Sequence, residues 1–327
     1  MTDQAVSLRT VTPEEAAAPL DPRKFRDPDV TAKGEPRARV ALRGLRTLWF
    51  NTGTLCNLTC RNCYIESSPT NDGLVYLTAA EVGVFLDEIV GDGLPTGEIG
   101  FTGGEPFMNP DIVPMLEATL ARGFRALVLT NAMKPMARLK APLAALKQRY
   151  GDRLTIRVSL DHYAAALHEA ERGARTFAPT MEGLSWLSSN GFAVRVAGRR
   201  FGGEPEAEIR AGFARLFADR GIAVDAFDAE ALVLFPEMDA RANVPEITER
   251  CWGLLDVDPG DIMCATSRMV VKRKGSPSPT VLACTLIAYD PRFEMGATLK
   301  DAVAPVSLNH PHCAKFCVLG GGSCSRG

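Results

Sequence analysis

Three cysteines fall within eight residues, Cys56-Asn-Leu-Thr-Cys60-Arg-Asn-Cys63. The C-x₃-C-x₂-C spacing follows directly on a strand-like run, Thr47-Leu48-Trp49-Phe50. A [4Fe–4S] cube held by Cys thiolates normally takes four of them. A short loop carrying three can wrap one face of such a cluster and leaves one iron open. An open metal position marks a reactive site, as the fourth position of a catalytic zinc does. Nine Cys in 327 residues, an odd number with no apolar leader ahead of them, favour metal binding over a disulfide framework.

The elements that must position this loop are legible as alternation. Short apolar runs at 47–51, 98–102, 125–130, 155–160, 193–197 and 223–227 are separated by segments with helix punctuation. Thr78-Ala-Ala-Glu81 reads as a capping box opening an amphipathic stretch to Val90. Asn109-Pro110-Asp111 reads as an N-cap, a first-turn Pro and an acid facing the helix dipole. A helix over Met181–Ser189 should stop at Asn190-Gly191. Six β-then-α units argue for a parallel sheet with right-handed crossovers, too few for a closed eight-fold barrel. The expected fold is therefore α/β, a partial (β/α)6 barrel of the TIM type, followed by a small Cys-rich module. The expected division is a loosely ordered N-terminal arm over 1–45, the barrel over 46–240 and the Cys-rich module over 241–327.

In that last region Arg268–Lys274 and Thr280–Cys284 look like two strands joined by Gly-Ser-Pro-Ser-Pro. Cys264 and Cys284 flank this hairpin, so antiparallel pairing would bring them together. Lys272-Arg-Lys274 reads as the solvated hairpin tip, and Cys251 beside Trp252 reads as a buried hydrophobe.

Cys56–Cys63 followed by Tyr64, then Thr102-Gly103-Gly104-Glu105-Pro106 at the end of the second strand, resembles the radical S-adenosylmethionine (SAM) superfamily. The resemblance covers roughly residues 46–230. It implies that the open iron is chelated by the amino and carboxylate groups of SAM. It further implies that Gly103, Gly104 and Glu105 seat the methionyl amine, with Tyr64 near the adenine. Asn131 closing the third strand, Ser159 and Asp161 closing the fourth, and Arg172 beyond them resemble positions that contact the SAM ribose and carboxylate. Arg199 is a second candidate for the carboxylate. Many family members carry an aromatic residue immediately before the third Cys, where this chain has Asn62.

The tail resembles the auxiliary-cluster module of SPASM and twitch proteins, with Cys264, a Gly275 turn, Cys284, then Cys313, Cys317 and Cys324. Two full four-Cys clusters need eight thiolates, and six Cys lie in this region, so the expectation is one auxiliary [4Fe–4S] cluster. Two would require an open iron or a non-Cys ligand such as His310 or His312. Structural zinc is the competing reading of such a Cys group.

A formal charge of −2 gives no footprint for nucleic acid, and no apolar run spans a bilayer, so a cytoplasmic protein is expected. The expected function is a radical SAM enzyme, an oxidoreductase or maturase, that modifies a peptide or protein, with a donor such as flavodoxin or ferredoxin. A sugar or other metabolite as substrate, and a non-enzymatic cluster-binding protein, are the alternatives. No catalytic acid or base stands out; His162, Glu230, Glu237 and Asp239 read as ordinary residues.

Overall fold

The structure, a computed structural model, describes residues 19–201, 203–236 and 241–322. Cys324, Glu237 and Asp239 lie outside the described residues. Six parallel strands, β2 (Thr47–Asn51), β3 (Glu98–Thr102), β4 (Arg125–Thr130), β5 (Leu154–Ser159), β6 (Ala193–Arg199) and β7 (Leu232–Phe235), pair in chain order. Both β2 and β3 are buried at every position, which is why they read as unbroken apolar runs rather than alternating ones. Helices α1 (Ala79–Gly91), α2 (Ile112–Ala121), α3 (Lys134–Ala137), α4 (Lys140–Tyr150), α5 (Ala165–Arg172), α6 (Phe177–Ser189) and α7 (Glu206–Arg220) make the crossovers. The expected partial six-fold barrel is present.

Local signals set several boundaries. The capping box is formed, with the Glu81 amide donating to Thr78 Oγ1 at 3.2 Å and the Thr78 amide donating to Glu81 Oε2 at 2.9 Å. Helix α6 stops at Asn190, as expected. Asn109, however, does not cap α2; Asp111 occupies the N-cap position. The Asn109 amide instead donates to the carbonyls of Thr52 and Leu77, joining the segment after β2 to the start of α1.

The sixth strand is not 223–227 but Leu232–Phe235. Val224 and Ala226 are buried, which produces a strand-like alternation. Asp225 and Asp228 accept hydrogen bonds from the amides of Phe227 and Glu230, and such Asx turns compete with the ladder.

The Cys-rich region does not stand apart from the barrel. Strand β8 (Ser267–Val271) lies parallel to β2, and β9 (Thr280–Leu282) and β10 (Glu294–Gly296) follow antiparallel, giving one nine-stranded sheet. The expected hairpin is thus formed, but as an extension of the barrel sheet. Lys272 to Lys274 do begin the hairpin tip, with Lys274 exposed as expected; the Lys272 and Lys274 ammonium groups also donate to Glu81 and Asp72 at 2.6 Å.

Residues 19–45, expected to be loosely ordered, carry fixed pairings. Strand β1 (Arg39–Val40) pairs with β11 (Val306–Ser307), and the fully buried Arg37 meets Glu246 at 2.6 Å. Cys251 opens the short helix α8 (Cys251–Leu255) and is half-buried rather than a core residue. No helix among the described residues is long and apolar enough to cross a membrane.

Candidate active site and second cysteine cavity

The segment after β2 and the segment after β3 continue side by side beyond the sheet. The Thr52 amide donates to Thr102 O, Gly104 to Gly53 O, and Glu105 to Leu55 O, at 2.8 to 3.1 Å. This approach is open only to glycine. A Cβ on Gly104 would stand 2.2 Å from Leu55 O, and one on Gly103, whose φ is +133°, 2.5 Å from Gly53 O. The two glycines therefore clamp the backbone that leads into the cysteine loop, besides lining the cavity beside it.

That cavity is lined by Cys56, Cys60 and Cys63 and by the strand ends opposite them. Tyr64, Gly103, Gly104, Asn131, Ser159, Asp161, Arg172 and Arg199 all face it, so a span of over a hundred residues converges on one space. Glu105 does not line it. Its carboxylate is buried and accepts from Thr130 Oγ1 at 2.8 Å, the Asn131 amide at 2.9 Å and the Phe107 amide at 3.1 Å. An ionised carboxylate has about four acceptor sites, so roughly one is left for a ligand. In this structure Glu105 ties the end of β3 to the end of β4.

Burial pushes the Glu105 carboxyl up from 4.5 to about 7, against the pull of its three donors and of Arg172. A carboxyl with a raised folded pKa contributes most stability below pH 4.5 and loses that contribution as pH rises to about 7. Glu105→Gln removes the titration. The urea-unfolding free energy of iron-free wild type, taken relative to Glu105→Gln, is expected to fall by up to roughly 3 kcal/mol across that window. Two parallel pH profiles would contradict this.

A network of charges holds the cysteine loop against the barrel. Asp161, 3% exposed, receives Arg172 at 2.6 Å and Arg199 at 3.2 Å. Burial alone would raise the Asp161 carboxyl, but Arg172 and Arg199 outweigh it and hold it below the ordinary value. Arg199 also donates to Asn62 O at 3.2 Å. The Asn62 amide donates to both Glu171 oxygens at 2.8 and 3.0 Å, and the Arg61 amide donates to Glu171 O at 2.7 Å. Asn62 is therefore the hinge pin between the loop and the C-terminal end of α5. His168 completes the support: its Nδ1 accepts from the Asp161 amide at 3.2 Å. Burial and the Arg172 charge push its pKa down to about 4, which keeps the ring neutral for that role.

The donor set fits an iron–sulfur cluster. Burial pushes the Cys56 thiol up to about 12 and raises Cys60 as well, so these thiols hold their protons until a metal displaces them. Arg172 opposes the shift at Cys60 and supplies positive charge beside the thiolate. No three His, Cys, Asp or Glu side chains among the described residues close around a single ion. The three thiols line one shared cavity, as ligands of a common cluster must.

A second, smaller cavity is lined by Cys264, Cys284, Cys313 and Cys317 together with His312. His310 does not line it, but its ring lies 4.8 Å from that of His312. Cys264 arrives on the turn before β8, Cys284 just after β9, and Cys313 and Cys317 on a single π-helical turn, Cys313–Val318. Burial raises Cys264 to about 11 and lifts Cys313 well above the ordinary thiol value. Leu286 lines both cavities, so they share part of a wall. Phe316, between the last two of these Cys, forms part of the wall of the first cavity with Phe235 and Leu129.

Sequence reasoning missed Glu171, Phe235, Leu286 and Phe316. Phe235 had a signal in the continuous run Leu232–Phe235; the other three had none.

Residues 50–211 match the model of the Radical SAM superfamily. A stretch of 143 residues is 32% identical to the antilisterial bacteriocin subtilosin biosynthesis protein AlbA of Bacillus subtilis (strain 168), covering 43% of this chain and 30% of AlbA. A stretch of 138 residues is 28% identical to the mycofactocin maturase MftC of Mycobacterium ulcerans (strain Agy99), covering 42% of this chain and 35% of MftC. The chain thus spans about a third of the length of these two relatives. Streptococcus suis SuiB bound to precursor peptide SuiA superposes with a TM-score of 0.59 at 14% identity, over 81% of this chain and 66% of SuiB. That likeness concerns the fold alone.

Proposed function

Because residues 50–211 belong to the radical SAM superfamily, we propose that this chain is a radical SAM enzyme that takes a hydrogen atom from a peptide substrate. The observation that carries this reading is the convergence of Cys56, Cys60 and Cys63 with the ends of five strands, β3 to β7, on one cavity. In this reading the three Cys hold a [4Fe–4S] cluster. When bound, that cluster supplies the electron that cleaves SAM to methionine and a 5′-deoxyadenosyl radical. Gly103 and Gly104 present backbone to the methionyl group, and Asn131 and Ser159 line the path of the ribose. Arg172 and Arg199, both anchored on Asp161, face the SAM carboxylate, while Tyr64 stands beside the cysteine loop near the adenine. An external reductant of the flavodoxin or ferredoxin class supplies the electrons.

Two observations favour a peptide. AlbA and MftC are named for bacteriocin biosynthesis and maturation. The cavity wall away from the cysteine loop is built from Leu129, Ala197, Phe235, Leu286 and Phe316. An apolar wall suits a peptide side chain and offers little to the hydroxyls of a sugar. Incubating the reduced enzyme with a synthetic precursor encoded beside its gene is expected to yield a peptide lighter by two hydrogens. Turnover of a sugar and not of the peptide would overturn this choice.

Cys264, Cys284, Cys313 and Cys317 hold a second [4Fe–4S] cluster in this proposal, with His312 at its edge. Its cavity shares Leu286 with the first one, which suits it to accept the electron left on the substrate radical. The variant with Cys56, Cys60 and Cys63 all changed to Ala is expected to retain about four irons per chain. Loss of all iron, or recovery of zinc alone, would count against a second cluster.

A further inference from the structure

Arg268 is 1% exposed, and no carboxylate among the described residues pairs with it. Its guanidinium donates only to carbonyls, those of Ala302 at 2.8 Å, Cys264 at 2.6 Å and Ser267 at 2.8 Å, and its Nη2 has no partner. Arg37, also fully buried, meets Glu246 at 2.6 Å. A buried charge normally stands beside an opposite one. The ionisable groups that act on Arg268 are Cys264 and Cys284. The fold places both beside it. Cys264 precedes Arg268 by four residues on the turn that enters β8. Arg268 sits one step before the Met269–Leu282 pair, next to the chain that leads into Cys284.

Thiols on those two Cys would leave the guanidinium uncompensated; thiolates on a cluster would not. The geometry points to Arg268 as the fixed positive charge that offsets an anionic iron–sulfur cluster on Cys264, Cys284, Cys313 and Cys317 and raises its reduction potential. This inference rests on the reading that the second cavity holds such a cluster. Reduction adds one electron, and so one negative charge, to the cluster, and a nearby fixed cation favours that step. Arg268 touches no substrate; it acts through the cluster.

The test uses the variant with Cys56, Cys60 and Cys63 changed to Ala, which isolates the second cluster. Dithionite supplies the electron, and EPR follows the reduced form. Arg268→Gln is expected to lower the equilibrium constant for one-electron reduction about tenfold, 59 mV in the negative direction. Arg268→Lys keeps the charge and is expected to stay near the parent. Val303 is 60% exposed and lines the same surface cleft as Arg268, so Val303→Glu places a carboxylate there without disturbing the core. It is expected to shift the equilibrium the same way, which keeps the test alive if Arg268→Gln fails to fold. Absence of iron in the parent variant would overturn the cluster reading itself. Iron retained with an unchanged potential in Arg268→Gln and Val303→Glu, or an Arg268→Lys shift as large as that of Gln, would overturn the role of Arg268 alone.

Discussion

Changing Cys60 to Ala is expected to reduce formation of 5′-deoxyadenosine from SAM by at least about a thousandfold, a barrier change of roughly 4 kcal/mol. Among the described residues Cys56, Cys60 and Cys63 are the thiols that line the first cavity, so none of the others described stands ready to replace one. Cys60 is the most informative of them. Cys56 is buried and its loss would perturb packing, whereas Cys60 is half-exposed on the loop and its removal leaves the core intact. The hydrogen bonds that seat the loop, Arg61 and Asn62 to Glu171, do not involve the Cys60 side chain. The variant is therefore expected to fold, and to keep the iron of the second site. Anaerobic reconstitution followed by quantification of 5′-deoxyadenosine measures the effect. Turnover at the wild-type rate would sink the assignment of this loop as the catalytic cluster site.

Asp161→Ala is expected to lower the unfolding free energy by about 3–5 kcal/mol, the usual consequence of removing one partner from a buried ion pair. Two guanidinium groups depend on this carboxylate, and both lie within the barrel mouth. Without it, Arg172 and Arg199 repel each other in a poorly hydrated space, and Arg199 loses its fixed approach to Asn62 O. The cysteine loop is thus expected to loosen as well, lowering iron occupancy of the first site but not of the second. Because the Asp161 carboxyl is held below its ordinary value of 3.8, its contribution is present above that pH and is lost as pH falls below it. Near neutral pH the effect should not vary, unlike that of Glu105. Urea unfolding of wild type and variant at pH 7 measures the difference. Coincident unfolding curves would show that the network carries no stability, and retained iron at the first site would show that it does not hold the loop.

The cluster loop, the Gly103-Gly104-Glu105 turn, the capping box and the six-fold alternation were all legible because each is a local pattern. Ligand spacing, turn chemistry and helix capping act over a few residues, so residue type and order suffice. The same reasoning misplaced the sixth strand. Val224 and Ala226 alternate like strand residues, and only the Asx turns at Asp225 and Asp228 show that their backbone is not paired. It also treated Asn62 as a departure affecting adenine contacts. In the fold Asn62 is committed to Glu171, 109 residues away, and no periodicity records such a partner.

By itself, then, the sequence determined that three thiols would share a loop after a strand, that glycines would follow the next strand, and that more cysteines would flank a hairpin. Only the tertiary structure decided that the hairpin extends the barrel sheet beside β2, and that Leu286 lines both cysteine cavities. It alone decided that Glu105 braces strands, that Asp161 joins two arginines, and that Arg268 is buried beside Cys264 with no acid among the described residues paired to it. These are contacts between distant segments, created when packing brings strand ends together, and their energies depend on burial that no local pattern carries.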